Sequence, residues 1–250
     1  MKLAPLVAYL DDFLRLRDVR DAPEALNGLQ VENGGEVTRL AAAVDLCEAT
    51  VRLAVEARAD LLLVHHGLFW GGLVPLAGPV YRRVASLIAN NVALYAAHLP
   101  LDSHLEIGNA TLLARQLSVR VCDAFGEWQG QACGVWGELD VTRDALTTRL
   151  GNVLGAPPRV LAFGPERIRR LGIVTGAGGS IIPQAAAAGL DAYVTGEGTH
   201  HTYVLAEELR LNVYYGGHYA TETFGVRALA EHVAKKFSLP WVFLDHPTGL

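Results

Sequence analysis

At 250 residues, 51% of them apolar, the chain can bury one large core or two modest ones, and its composition argues against disorder. Net charge is −5 and no lysine or arginine run exceeds two residues, as at Arg82-Arg83, Arg169-Arg170 and Lys235-Lys236. The basic footprint needed on a phosphate backbone is therefore missing, and nucleic acid is a poor default partner. The three cysteines, Cys47, Cys122 and Cys133, include no C-x-x-C pair; this argues against a disulfide framework and a thiolate zinc site, and favours a reducing cytoplasm.

The apolar run Leu3 to Leu10 ends at Asp11-Asp12 with no small-residue cleavage site, so it reads as a first helix and not a signal peptide. No segment reaches the roughly 18 uninterrupted apolar residues of a membrane span. Val37 to Asp45 then predicts a strand, Ala49 to Arg58 a helix, and Leu61 to Val64 a short buried strand. A loop rich in Gly and Pro (Gly67 to Pro79) leads to a helix from Val80 to Asn90, a strand from Val92 to Ala97 and a helix from Asn109 to Leu117. Between about Val119 and Pro165 the pattern is less regular, with one helical stretch (Thr142 to Leu154) and flanking strands, and the domain change is placed there.

The third quarter repeats the first in outline. Ile173 to Thr175, a helix through Ala185 to Ala188, and Asp191 to Val194 echo Ala43 to Asp45, its following helix, and Asp60 to Val64. Each copy has an aspartate opening the second strand and polar groups at its exit. Val213 to Tyr215 closes the series as a strand, and Tyr219 to Lys236 has helical composition. The alternation predicts an α/β fold with largely parallel strands, in two α/β parts of similar outline (residues 1–125 and 126–250) packed around a shared metal site.

That site is expected from three clusters that each follow a strand-like run, since an open α/β sheet delivers its strands' carboxyl ends to one edge. The first is His65-His66. On a regular strand the two would point to opposite faces, so serving one site requires a departure from strand geometry, which Gly67 permits; hydrogen bonds to backbone are the bland alternative. In the second, His98 to Asp102, Pro100 disfavours helix at Leu99 and holds Asp102 near the strand exit, although Asp102-Ser103 can equally cap the helix near Asn109. His104 adds a nearby imidazole. In the third, Gly216-Gly217 ends a strand, and His218 and Glu222 at i and i+4 share one helix face; a Glu in a first turn also suits the helix dipole alone.

Three imidazoles (His65, His66, His218) and two carboxylates (Asp102, Glu222) suit two divalent ions, with zinc, iron, manganese, cobalt or nickel all compatible with nitrogen and oxygen donors. On the substrate side, Thr175 to Ser180 links a strand to a helix; Gly178, Gly179 and Ser180 are a candidate anion site or simply a tight turn. Glu197, in Thr195 to His201, is a candidate general base or outer partner of a ligand histidine, and His200 and His201 can equally sit in the first turn of a solvated helix.

Asn27 to Val31, Val64 to Gly67, His98 to Asp102, Thr195 to Glu197 and Gly217 to Glu222, taken in order and spacing over nearly the whole chain, resemble the motifs of the NIF-three-like proteins, also labelled GTP cyclohydrolase I type 2 homologs and including YbgI-type proteins. The resemblance implies a two-part α/β subunit, a dinuclear metal centre, and a ring-shaped homohexamer. It assigns ligation to His65, His66, Asp102, His218 and Glu222, and puts His98 and Glu197 close by as candidates for moving protons. It further implies a metal-dependent hydrolase acting on a nucleotide or another small anionic heterocycle, with a non-catalytic metal-handling or scaffold protein as the rival reading.

Overall fold

In the computed structural model, which describes residues 1–22 and 25–250, the apolar runs expected as strands are buried and lie side by side. Helix α1 (Leu3–Phe13) comes first, as the apolar run at the N-terminus predicts. It is followed by β1 (Gly28–Val31), β2 (Leu40–Asp45), α2 (Glu48–Glu56), β3 (Leu61–His66), α3 (Gly78–Ala89) and β4 (Ala93–Ala96). Strands β2, β3 and β4 are parallel, with Leu40 opposite Leu61 and Leu61 opposite Ala93, while β1 runs antiparallel on the far side of β4. Their side chains meet α2 and α3 in a core that includes Val51, Leu62, Leu87 and Leu94.

The chain continues with α4 (Leu99–Asp102), a single helical turn, then α5 (Asn109–Gln116), β5 (Arg120–Trp128) and β6 (Gln131–Thr142). Next are α6 (Arg143–Leu154), β7 (Arg159–Ala162), β8 (Arg167–Ile173), a 3-10 turn over Gly178–Ile181, α7 (Ile182–Ala187), β9 (Ala192–Thr195), α8 (His201–Glu208) and β10 (Asn212–Tyr215). The long α9 (His218–Phe237) and the short β11 (Trp241–Phe243) complete the order. Among the described residues, one sheet has the strand order β1-β4-β3-β2-β11 and the other the order β5-β6-β8-β9-β10-β7. Both are mixed. In the first sheet only β1 breaks the parallel arrangement; in the second, β8, β9 and β10 pair in parallel, and the pairings made by β5, β6 and β7 are antiparallel.

The stretch expected to be irregular holds the longest strands, β5 and β6. They form a hairpin closed by Gln129 (φ 56°) and Gly130 (φ 80°), with Trp128 opposite Gln131. Left-handed geometry at both central residues matches the twist of the flanking strands. Gln-Gly lacks the usual Asn-Gly signature, and the glycines inside β6 dilute its strand character. A two-residue connection can join only antiparallel neighbours, which is why this sheet is less parallel than the alternation of elements suggests.

The chain divides into two units, residues 1–101 with 225–246, and residues 102–224 with 247–250. The expected division at 125/126 therefore falls elsewhere, and Asp102 belongs to the second unit. Helix α5 accounts for the difference: Ala110, Leu113 and Ala114 pack into the same core as Val135, Leu146, Ile168 and Tyr214. The return to the first unit occurs within α9, whose later residues are grouped with β11 and its partner β2.

The internal echo has a physical basis. Asp60 precedes β3 and accepts hydrogen bonds from the Thr38 and Arg39 amides at 2.6 and 3.0 Å. Asp191 precedes β9 and accepts from the Arg169 and Arg170 amides at 2.8 and 2.9 Å. In each unit an aspartate thus ties the start of one parallel strand to its neighbour, leaving the carboxyl ends to carry function. Leu62 is fully buried at the centre of β3, the strand that delivers His65 and His66. Leu62→Ala is expected to lower unfolding stability by ~2–5 kcal/mol, measured as a shift in the denaturant midpoint at unchanged slope.

Candidate functional site

In the first unit the carboxyl ends of β2, β3 and β4 bring Asp45, His65-His66 and His98 to one sheet edge. Asp45 stands in register with His66. Both histidines remain within β3, without the departure from strand geometry that Gly67 permits. Their rings nevertheless lie 4.8 Å apart, because acceptors on either side of β3 hold them: His65 Nδ1 lies 2.9 Å from the Ala97 carbonyl just past β4, and His66 Nδ1 lies 2.7 Å from Asp45 Oδ1 at the end of β2. His98 is held the same way, its Nδ1 2.9 Å from Asp21 Oδ1. A carbonyl or carboxylate can only accept, so each Nδ1 carries the proton and each Nε2 the lone pair. Ligand atoms of His65, His66 and His98 all fall within 4.8 Å of one another.

Asp21 is the buried keystone of this cluster. Its carboxylate also accepts from the Leu99 amide at 3.0 Å, the Ala22 amide at 2.7 Å and Asn27 Nδ2 at 2.8 Å. Burial by itself would raise its pKa, but the hydrogen bond and charge of His98, with those of Asn27 and Ala22, outweigh it and hold the carboxyl below its ordinary value. The Leu99 amide is thereby satisfied as the first of a helical turn. Pro100 therefore does not prevent helix at Leu99; it sits in the first turn, where its missing N–H costs nothing. The exposed Trp70 packs against this edge, with its ring 4.2 Å from that of His98 and 4.9 Å from that of His66.

In the second unit, α9 begins at His218 immediately after Gly216-Gly217, and His218 and Glu222 share a face as their spacing predicts. His218 Nδ1 lies 2.8 Å from Glu197 Oε1, and its Nε2 lies 3.1 Å from Glu222 Oε2. The hydrogen bond that His218 donates to the Glu222 carboxylate, joined by the one to Glu197, raises the imidazole pKa to about 9 against the opposing effect of burial. Asp102 is buried and accepts from Asn109 Nδ2 at 2.8 Å. It does not cap α5, whose N-cap is Gly108 with no side-chain cap. Burial and the charge of Asp102 push the neighbouring Cys133 thiol up to about 12. His104 serves its own loop, with Nδ1 accepting from the Glu106 and Ile107 amides.

Two local features fit a cation beside Glu222. Gly176 (φ +62°) has no room for a side chain, because a Cβ there would overlap the Glu222 carboxylate and stand 3.2 Å from His218 Nε2. The buried Thr175 Oγ1 has no hydrogen-bond partner among the described residues, where a buried hydroxyl normally needs one. In the candidate anion turn the two glycines are engaged in packing, while Ser180 is exposed. The Gly178 amide donates to Thr195 Oγ1 at 3.0 Å and its carbonyl accepts from Tyr193, while Gly179 is buried 3.1 Å short of Gly198 at its would-be Cβ. His200 and His201 open α8 as exposed residues.

The sequence model of the family described as Duf34/NIF3 (NGG1p interacting factor 3) matches residues 1–248. The chain belongs to the Duf34/NIF3 family. A relative from Deinococcus radiodurans, described as a GTP cyclohydrolase 1 type 2 homolog, is 43% identical over 247 residues, covering 98% of this chain and 93% of its own. The crystal structure of TTHA1606 from Thermus thermophilus matches over the full length of both chains with a TM-score of 0.92 at 43% identity. Protein ybgI, described as of unknown function, matches over the full length of both with a TM-score of 0.94 at 36% identity.

Each unit of this Duf34/NIF3 protein therefore presents buried or half-buried imidazole and carboxylate side chains of the kinds that could hold a metal ion. Histidine ligands in metal sites characteristically donate their second ring nitrogen to a carboxylate or carbonyl, and four histidines here are held in that way. Asp21 and Asp45, which hold His98 and His66, and Asn109, which donates to Asp102, carry no motif of their own in the sequence.

The pH response follows from His218. Its folded-state pKa lies above its ordinary 6.5, so the stabilisation it contributes is complete below about 6.5 and lost as pH rises through about 9. In the presence of chelator, the denaturant midpoint of the wild type is expected to fall across that window, and His218→Gln to flatten the fall.

Proposed function

We propose that the protein binds two divalent metal ions through His65, His66, Asp102, His218 and Glu222, and is a metal-dependent hydrolase of a nucleotide or similar anionic heterocycle. The observation that carries this reading is the anchoring of His65 and His66 at Nδ1 by oxygen acceptors, which leaves the Nε2 lone pair of each for a metal, joined by His218, whose Nδ1 is held by Glu197 and whose Nε2 faces Glu222. The donor chemistry, imidazole and carboxylate without thiolate, suits zinc, iron, manganese, cobalt or nickel and a reactive site more than a purely structural one. Bound there, such ions lower the pKa of a coordinated water and polarise a substrate oxygen.

The chain's own groups take distinct parts in this proposal. His98, with Nδ1 held by the buried Asp21 carboxylate, moves a proton at Nε2, and Asp21 stabilises the imidazolium that results. Glu197 positions His218 through Nδ1, so of the two roles open to it the outer partner is the better supported. Hydrolytic opening of a purine imidazole ring with loss of formate, the reaction implied by the description of the relatives, needs a water nucleophile and a proton donor of this kind.

Elemental analysis of the wild type is expected to find about two ions per subunit, with a sharp fall in both His65→Ala and Glu222→Ala. Unchanged metal content in those variants would remove the ligand assignment. Incubation of the metal-loaded wild type with GTP is expected to release formate in a chelator-sensitive manner; stable metal uptake without turnover of any nucleotide would favour a metal-handling role.

A further inference from the structure

Beside the carboxyl ends of β9 and β10, wholly within the second unit, lies a cleft of about 460 Å³ whose lining includes Arg159, Thr199, His200, Thr202, Tyr203 and Tyr215. Its volume is within the usual range for small-molecule sites, and its place at the carboxyl edge of parallel strands is where α/β sheets bind ligands. Among the described residues, no acidic side chain lines it. Its guanidinium is available: Arg167 and Arg143 nearby in sequence are paired with Asp140 and Glu166, whereas the exposed Arg159, paired with Tyr215 through its backbone, has no side-chain hydrogen bond or ion pair among the described residues.

The floor and wall are rigid. Thr202 Oγ1 donates to the Thr199 carbonyl and lies 2.6 Å from the Tyr215 hydroxyl, so these groups are already satisfied and fixed. A Cβ at Gly198 would come within 2.6 Å of the Tyr215 ring and 2.7 Å of Thr202 Oγ1, so glycine is required for the chain to pass over them. Tyr203 is braced edge-on by Phe163, with ring centres 5.2 Å apart at 88°, yet remains 44% exposed. A braced, exposed aromatic ring close to an unpaired guanidinium combines a stacking surface with an anion-binding group. Gly198 also directly follows Glu197, whose carboxylate holds His218.

From this we infer that the cleft binds a nucleoside phosphate, with Arg159 and the neighbouring His200 imidazole on the phosphate and Tyr203 stacked on the base, while the Thr199 hydroxyl is held 3.0 Å from His201 Nδ1. The inference rests on the hydrolase reading above and supplies its substrate surface. Neither Arg159 nor Tyr203 is a metal donor in that reading, so substitutions here separate substrate binding from metal binding.

The test is calorimetric titration of the metal-loaded full chain with GTP, guanosine and inorganic phosphate, for the wild type, Arg159→Gln and Tyr203→Ala, with metal content and thermal unfolding measured on each. The wild type is expected to bind GTP. Arg159→Gln is expected to weaken GTP about tenfold while sparing guanosine. Tyr203→Ala is expected to weaken GTP and guanosine alike by about tenfold while sparing phosphate. Absence of GTP binding by the wild type, or GTP affinity unchanged in both variants, overturns the inference. A normal metal content alongside either of those results leaves the two-ion reading standing, whereas cleft-dependent GTP binding by a protein that takes up no metal sinks the two-ion reading alone.

Discussion

A buried imidazole must have each ring nitrogen accounted for, and this requirement organises the functional edge of each unit. His65, His66, His98 and His218 each give Nδ1 to an oxygen acceptor, and none of those acceptors lies on the same strand or helix as its histidine. The fold has to bring the acceptor to the ring. Asp21 illustrates the cost and the return: burial disfavours its charge, and the donors converging on it from His98, Leu99, Ala22 and Asn27 offset that penalty. A loop, a strand exit and the first turn of a helix are fastened at a single carboxylate.

The sheets supply the geometry that this fastening refines. Parallel neighbours β2 and β3 end together, so Asp45 stands beside His66, and the Ala97 carbonyl just past β4 reaches His65. In the second sheet β9 and β10 end together, with Thr195 beside Tyr215, so Glu197 and His218 leave the sheet from adjacent exits. Asp60 and Asp191 perform the same backbone service at the opposite ends of these strands. The two units thus use one device twice, fastening at one end and function at the other.

The second unit also shows how glycine makes room for chemistry. At Gly176 the backbone passes so close to Glu222 and His218 that any side chain would intrude on the donors. At Gly198 it passes over the Tyr215 ring, opening the cleft beside Glu197. Donor atoms and a candidate substrate surface are therefore separated by very few residues along the chain.

Much of this was legible in the chain before folding was considered. Apolar runs of strand length followed by His, Asp or Glu mark the strand exits, the i to i+4 spacing of His218 and Glu222 marks one helix face, and the order of motifs carries the family. The anchors were not legible, because Asp21 lies in a stretch without periodicity and Asp45 matters only once strand register sets it beside His66. The Gln129-Gly130 hairpin has no turn signature in the sequence, since it uses left-handed geometry at a residue that seldom adopts it. Gly178 looked like an anion turn, and only folding reveals that its amide is consumed by Thr195. Residue type and local spacing determine which groups can bind metal, since those are properties of a few adjacent positions. Which nitrogen points where, which amides remain available, and that Asp102 goes with the second unit are decided by contacts between segments far apart in sequence, and such contacts exist only in the folded chain.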